Sequence, residues 1–239
     1  MTLGDELRSD LDKLVGGPWS VRDGRVVPGT DDVKLFTNDA VKLDAVYLYA
    51  DLLGSTKLAR DFEWETAGKV IRASLRTAST IIKSYGGEIR SYDGDRVMAI
   101  FITGAKNTTA AECALKINYA MQRIVEPALY AELPQLEQDG FDVRMSIGIA
   151  SGDAFITRAG VRGSSDLVSI GRAPNIAAKL SDIRAEPYYR IYITDSVYHS
   201  LLEDSQYDND GKDMWSPYVT DVGGERMTTY RTSYWWGIG

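Results

Sequence analysis

Only one cysteine, Cys113, occurs in the 239 residues, so no internal disulfide can form. That fits a reducing compartment. The one histidine, His199, leaves no material for a His-rich zinc centre and little for a His-based triad. No apolar run approaches the ~20 residues of a membrane span. Neither a P-loop nor a dinucleotide fingerprint occurs. Positive charge is also in deficit: 27 Lys and Arg stand against 34 Asp and Glu, a formal net charge of -7. This balance argues against nucleic acid and against an anionic membrane as partners. A nucleotide stays open, because metal ions can neutralise its phosphates. The expectation is a soluble, cytoplasmic globular chain.

What is present is organised around Val46 to Thr56. Val46, Leu48 and Ala50 share one face of a strand, and Tyr47, Tyr49 and Asp51 share the other. Gly54-Ser55-Thr56 then turns the chain into a helix, with Ser55 as N-cap. A carboxylate at a strand end beside a helix N-terminus can hold a divalent cation and offer N–H groups to phosphates.

Leu3, Leu7, Leu11 and Leu14 predict an amphipathic helix over 1–15 that docks on its own domain or on a partner. Residues 16–38 are rich in Gly, Pro and Asp, as in a connector or small hairpin. A long helix over 62–85 stops at Gly86-Gly87. Asp93-Gly94 predicts a hairpin turn between 88–92 and 95–102, with Asp95 opening the second arm. A second helix covers 107–125, and Pro127 and Pro134 break up the segment after it. Alternation at Val143, Met145, Ile147 and Ile149 gives a strand, which Gly152-Asp153 turns into another over 154–161. Residues 163–169 read as a polar loop. A helix over 171–183 carries Asn175 and Lys179 on one face. A short strand (190–194), a short helix (195–202), a polar and mobile stretch (206–212) and one or two aromatic-rich strands (218–236) complete the chain. The order β-α-β-β-α-β, with additions, predicts an α+β ferredoxin-like sandwich with helices on one face of an antiparallel sheet. The expected division is an N-terminal helix and connector over 1–42 and the main domain over 43–239.

In that fold the first strand and the hairpin are neighbours. Asp51 and Asp95 would then meet at one sheet end, and with a backbone carbonyl such as that of Leu52 they could hold Mg²⁺. Two competing readings are that Asp93 is the ligand and that Asp95 is only a turn residue.

Four stretches resemble the class III nucleotidyl cyclases. Tyr49-Ala50-Asp51-Leu52-Leu53-Gly54-Ser55-Thr56 is similar to the family's first metal motif, and Gly86-Gly87-Glu88 through Gly94-Asp95 to Ala99 to its second. Val143 to Gly152 resembles the strand that comes next in the family, and Gly171 to Leu180 the substrate helix. The resemblance spans 43–235. It implies two Mg²⁺ or Mn²⁺ ions per site on Asp51, Leu52 and Asp95, and a triphosphate cradled by the N–H groups of Leu52, Leu53, Gly54, Ser55 and Thr56. It implies that Asn175 contacts the ribose. Lys179 stands where the family has an arginine; it keeps the charge but loses the bidentate fork. Arg226 stands in for a late phosphate-binding lysine. The family acts as dimers, which implies a homodimer with composite active sites.

Ser91 and Val168 fall at the base-reading positions, and neither purine code is intact. Tyr49 replaces a usual phenylalanine; its hydroxyl can meet a base, or serve as an ordinary core tyrosine. This pattern is similar to the free-standing bacterial anti-phage pyrimidine cyclases of the Pycsar type. It implies conversion of UTP, then CTP, to cyclic UMP or cyclic CMP, read by a separate effector. A purine cyclase with unusual base-reading residues and a catalytically silent nucleotide-binding homologue stay open.

Overall fold

A computed structural model describes residues 2–184 and 188–238. Met1 of the expected first helix, Gly239, and residues 185–187 within the cyclase-like region lie outside them. The chain begins with α1 (Leu3–Gly16), β1 (Ser20–Asp23), β2 (Asp39–Leu52), α2 (Ser55–Asp61) and α3 (Trp64–Ser84). The hairpin β3 (Glu88–Asp93) and β4 (Arg96–Phe101) comes next, then α4 (Lys106–Ala120), a π-helical turn (Met121–Val125), α5 (Glu126–Glu132) and α6 (Gln135–Gln138). After these come β5 (Met145–Val161), β6 (Ser164–Ile170), α7 (Arg172–Ser181) and β7 (Ile191–Thr194). Short helices α8 (Asp195–Tyr198) and α9 (Glu203–Gln206) lead to β8 (Ser216–Val222) and β9 (Glu225–Thr232).

Among the described residues all strands join one sheet, ordered β3-β4-β2-β5-β7-β9-β8, with β1 on β2 and β6 on β5. β2 lies at its centre, antiparallel to both β4 and β5. Its even residues Val46, Leu48, Ala50 and Leu52 pack into the core that holds α3 and α4. Its odd residues Val41, Leu43, Ala45, Tyr47 and Tyr49 pack into a second core with α7. The sheet is therefore covered on both faces, not one. The cause lies in β2, which is apolar on both sides; each buried Val or Leu contributes about 1.5–3 kcal/mol. α7 approaches closely because Gly148 of β5 has no side chain: a Cβ there would lie 2.1 Å from the Ala177 carbonyl oxygen.

Several expectations change. The hairpin register pairs Asp93 with Arg96, so Gly94-Asp95 is the two-residue turn and Asp93 ends a strand. Gly94 takes φ +60°, which suits the first turn position. Gly152-Asp153 does not turn the chain: β5 runs straight through it, because β2 offers ladder partners at Ala45 and Asp44. The polar loop at 163–169 is the strand β6, polar because alternate residues face solvent. Gly54, at φ +78°, is the N-cap of α2, and Ser55 is its first helical residue. Pro127 sits in the first turn of α5 and leaves the helix intact. The 206–212 stretch is pinned: the Asp208 carboxylate accepts from the Asp210 and Lys212 amides and the Tyr234 hydroxyl. The 16–38 connector contributes β1, which pairs in parallel with the start of β2.

Candidate active site

Asp51 is the penultimate residue of β2, opposite Arg96 of β4 and Ser146 of β5. The Leu52 amide donates to the Asp95 carbonyl at 3.3 Å, which ties the hairpin turn to the strand end. The sequence-predicted pair is thus brought together. Asp95 Oδ2 is buried and has no hydrogen-bond partner. The Asp51 carboxyl is held above the ordinary carboxylate range, first by burial and then by the neighbouring charge of Asp95. Two crowded acids, one with an orphaned oxygen, form a donor set that fits a divalent cation. Among the described residues no cluster of three or more His, Cys, Asp or Glu residues forms, so two carboxylates are the whole acidic donor set here.

The turn after Asp51 is partly committed already. The Leu53 amide donates to the Arg144 carbonyl at 2.8 Å, and the Leu52 amide to Asp95. These two N–H groups, expected to cradle a triphosphate, are occupied by the sheet edge. Gly54, Ser55 and Thr56 remain, at the start of α2, where the first helical N–H groups have no intrahelical acceptor. The Leu52 side chain is buried in the core, leaving only its carbonyl to serve a metal.

Beside this turn lies a cavity of about 300 Å³ bordered by Gly54, Lys57, Arg144, Arg184 and Arg190, with Asp142 as its acidic member. Arg190 is held below the usual arginine range, first by burial and then by Arg144. Arg184 Nη2 also donates to Asp51 Oδ2 at 2.5 Å. A cation-lined cavity next to paired carboxylates can hold a metal-bound polyphosphate. Sequence reasoning missed Arg184 because it comes after α7 in an irregular segment with no motif.

Tyr49, Met98 and Ser91 stand in one row across β2, β4 and β3, on one face. The Arg96 guanidinium lies 5.5 Å from the centre of the Tyr49 ring. Burial raises the Tyr49 hydroxyl above the usual phenol range. Val168 does not join this row. It is exposed on β6, registered against Thr157 near the far end of β5, and its neighbour Leu167 packs toward the Tyr49 core instead. Ser91 and Val168, the two positions that the resemblance gives to base reading, therefore lie on different strands, β3 and β6.

Asn175 and Lys179 share the exposed face of α7. Among the described residues neither makes a hydrogen bond or ion pair with Asp51 or Asp95. Lys179 lies against the β8–β9 turn: a Cβ on Gly223 would come 2.7 Å from its Cε. Arg226 is in the same hairpin, opposite Asp221. Apart from Val168 on β6, the predicted residues thus fall into two groups, a carboxylate end and an α7–hairpin surface.

No protein-family model matches the chain. Whole-chain relatives do. The chain is 40% identical over 239 residues to a protein of Burkholderia cepacia named uridylate cyclase, covering all of both chains. It is 38% identical over 236 residues to a uridylate cyclase of Rhodovulum sp. (strain MB263), covering 98% of each. In fold it is similar to the adenylyl cyclase CyaB from P. aeruginosa, with TM-score 0.60 and 22% identity over 81% of this chain and 95% of that one. With paired carboxylates at the end of the central strand, and these relatives, the chain belongs to the class III nucleotidyl cyclases. Within that family its whole-length relatives carry the name uridylate cyclase. Among the described residues no helix is long and apolar enough to cross a membrane.

Proposed function

We propose that the chain converts UTP to 3′,5′-cyclic UMP and pyrophosphate, with CTP as the lesser substrate, and works as a homodimer with shared active sites. The observation that carries the reading is the Asp51–Asp95 pair with its orphaned oxygen, in a chain similar over its whole length to uridylate cyclases. Two Mg²⁺ or Mn²⁺ ions per site, held by the Asp51 and Asp95 carboxylates and the Leu52 carbonyl, would supply the charge that acidifies the ribose 3′-hydroxyl and neutralises the phosphates.

The chain's own groups do the positioning. The N–H groups of Gly54, Ser55 and Thr56 face the triphosphate, and Lys57, Arg144, Arg184 and Arg190 offset its charge. Arg184 leaves Asp51 for phosphate when the nucleotide enters. The exposure of Asn175 and Lys179, with no hydrogen bond or ion pair to their own carboxylates among the described residues, supports their being offered to a second copy's site. There Asn175 orients the ribose, Lys179 offsets charge on the α-phosphate, and Arg226 adds to the same surface. The 3′-oxygen bonds to the α-phosphorus as the bond to pyrophosphate breaks, and the hydroxyl proton leaves to solvent. Tyr49 hydrogen-bonds the pyrimidine edge, with Ser91 in its row. Cyclic UMP then serves as an anti-phage signal in the cytoplasm for a separate effector. Incubation with each of the four nucleoside triphosphates and Mn²⁺ or Mg²⁺, with products identified by mass, tests this. Cyclic UMP should dominate; faster turnover of ATP or GTP overturns the pyrimidine reading, and no cyclic product at all overturns the enzyme.

A further inference from the structure

Helix α1 carries an apolar stripe that its own chain leaves uncovered. Leu3, Leu7, Leu11 and Leu14 share one face, about 16 Å long at 1.5 Å per residue. No residue of α1 is buried, and Leu3 is 72% exposed. By helical spacing, Glu6 and Asp10 flank the stripe along one edge, and Arg8 borders the other. The helix is held at its end by Asn38, whose side-chain amide donates to the Leu14 and Gly17 carbonyls at 3.0 and 2.6 Å. That anchor sits beside β1 and the start of β2.

Elsewhere on the surface, a groove of about 1250 Å³ runs between α3 and α5. Its floor is apolar and includes Ala73, Ile124, Leu129 and Leu133, with Ile124 49% exposed. The α3 wall is basic, with Lys69, Arg72 and Arg76 exposed along one helix face. Among the described residues none of the three pairs with a carboxylate. The α5 wall carries Glu132. In a chain of net charge -7, a basic wall without partners over an apolar floor is a selective surface.

Stripe and groove match in polarity and in charge order. The leucines suit the floor, Glu6 and Asp10 suit Arg72 and Arg76 at the same i,i+4 spacing, and Arg8 suits Glu132. We propose that α1 of one copy docks in the α3–α5 groove of a second copy. In a two-fold pair each copy gives one helix and receives one, so both contacts close. The proposal does not depend on which nucleotide is used.

The test is charge-dependent cross-linking of the full chain. Leu7→Cys and Ile124→Cys are made in separate chains, distinguished by a tag, and mixed under mild oxidant. Cys113 is buried and stays silent. An inter-chain disulfide should form between the two. Arg72→Glu with Arg76→Glu in the Ile124→Cys chain should slow it at least tenfold. Adding Glu6→Lys with Asp10→Lys to the Leu7→Cys chain should restore the rate to within about threefold. Circular dichroism checks that every variant is folded. No inter-chain disulfide, a disulfide indifferent to the charge reversal, or a failure of the second reversal to rescue would each overturn the proposal.

Discussion

β2 carries one carboxylate at its first residue, Asp39, and another at its penultimate residue, Asp51, and the two are treated in opposite ways. Asp39, at the start, is buried and satisfied: Oδ1 accepts from Arg22 at 3.0 Å and Oδ2 from the Lys34 amide at 3.0 Å. The Lys34 amide, above all, holds its carboxyl below the ordinary range. Asp51, at the end, has Arg184, yet burial and Asp95 together push its carboxyl upward. One strand thus carries a carboxylate whose partners are supplied by the fold and another whose partners are incomplete. The first pins the connector to the sheet. The second is the carboxylate to which the proposed function gives a metal ion.

The comparison can be broken most forcefully at the second end. Asp51→Asn or Asp95→Asn should lower turnover by about a thousandfold or more, since several kcal/mol of charge stabilisation go with the metal. Circular dichroism should find the fold retained, and near-normal activity in Asp95→Asn would shift the role to Asp93. Metal binding gives the next largest effect. At a hundredfold excess over its dissociation constant, Mn²⁺ should stabilise the wild type by about 2.7 kcal/mol in thermal melts. Asp39→Ala should respond equally and Asp51→Asn should not.

At the first end, Asp39→Ala should cost about 1–3 kcal/mol in urea unfolding, because the Lys34 amide and Arg22 lose their acceptor. Its turnover per folded molecule should be unchanged. The smallest effect is on pH dependence, and the two ends have opposite signs. A depressed carboxyl adds stability above its ordinary value of 3.8, and that stability is lost as pH falls through the folded value. A raised carboxyl does the reverse: without metal, stability declines as pH climbs above 3.8 and through the Asp51 value. Urea midpoints across this range should flatten on the acid side in Asp39→Asn and on the upper side in Asp51→Asn.

The strand faces of β2, the long helices and the meeting of Asp51 with Asp95 are legible in the sequence, because alternation and helical spacing are local signals. The extent of β5 is not. Gly152-Asp153 carries a turn signature, and only the long pairing with β2 overrides it. The Asp93-Gly94 signature misplaces the hairpin turn by one residue, since Gly94 serves equally well in either register until cross-strand pairing decides. Motif alone groups Val168 with Ser91, while its orientation depends on β6, a strand too polar to announce itself. Arg184 reaches Asp51 only through the tertiary fold, so no spacing rule could find it.

Gly148 sets a mechanical tolerance. At this one position α7 rests on bare backbone, with the Ser181 amide nitrogen and the Ala177 carbonyl oxygen 2.5 and 2.1 Å from where a Cβ would stand. The helix therefore has a hard stop rather than a cushion of adaptable side chains. Asn175 and Lys179, on its far face, inherit their height above the sheet from that stop. A methyl group added at Gly148 would act as a shim, lifting both side chains together while leaving their chemistry unaltered.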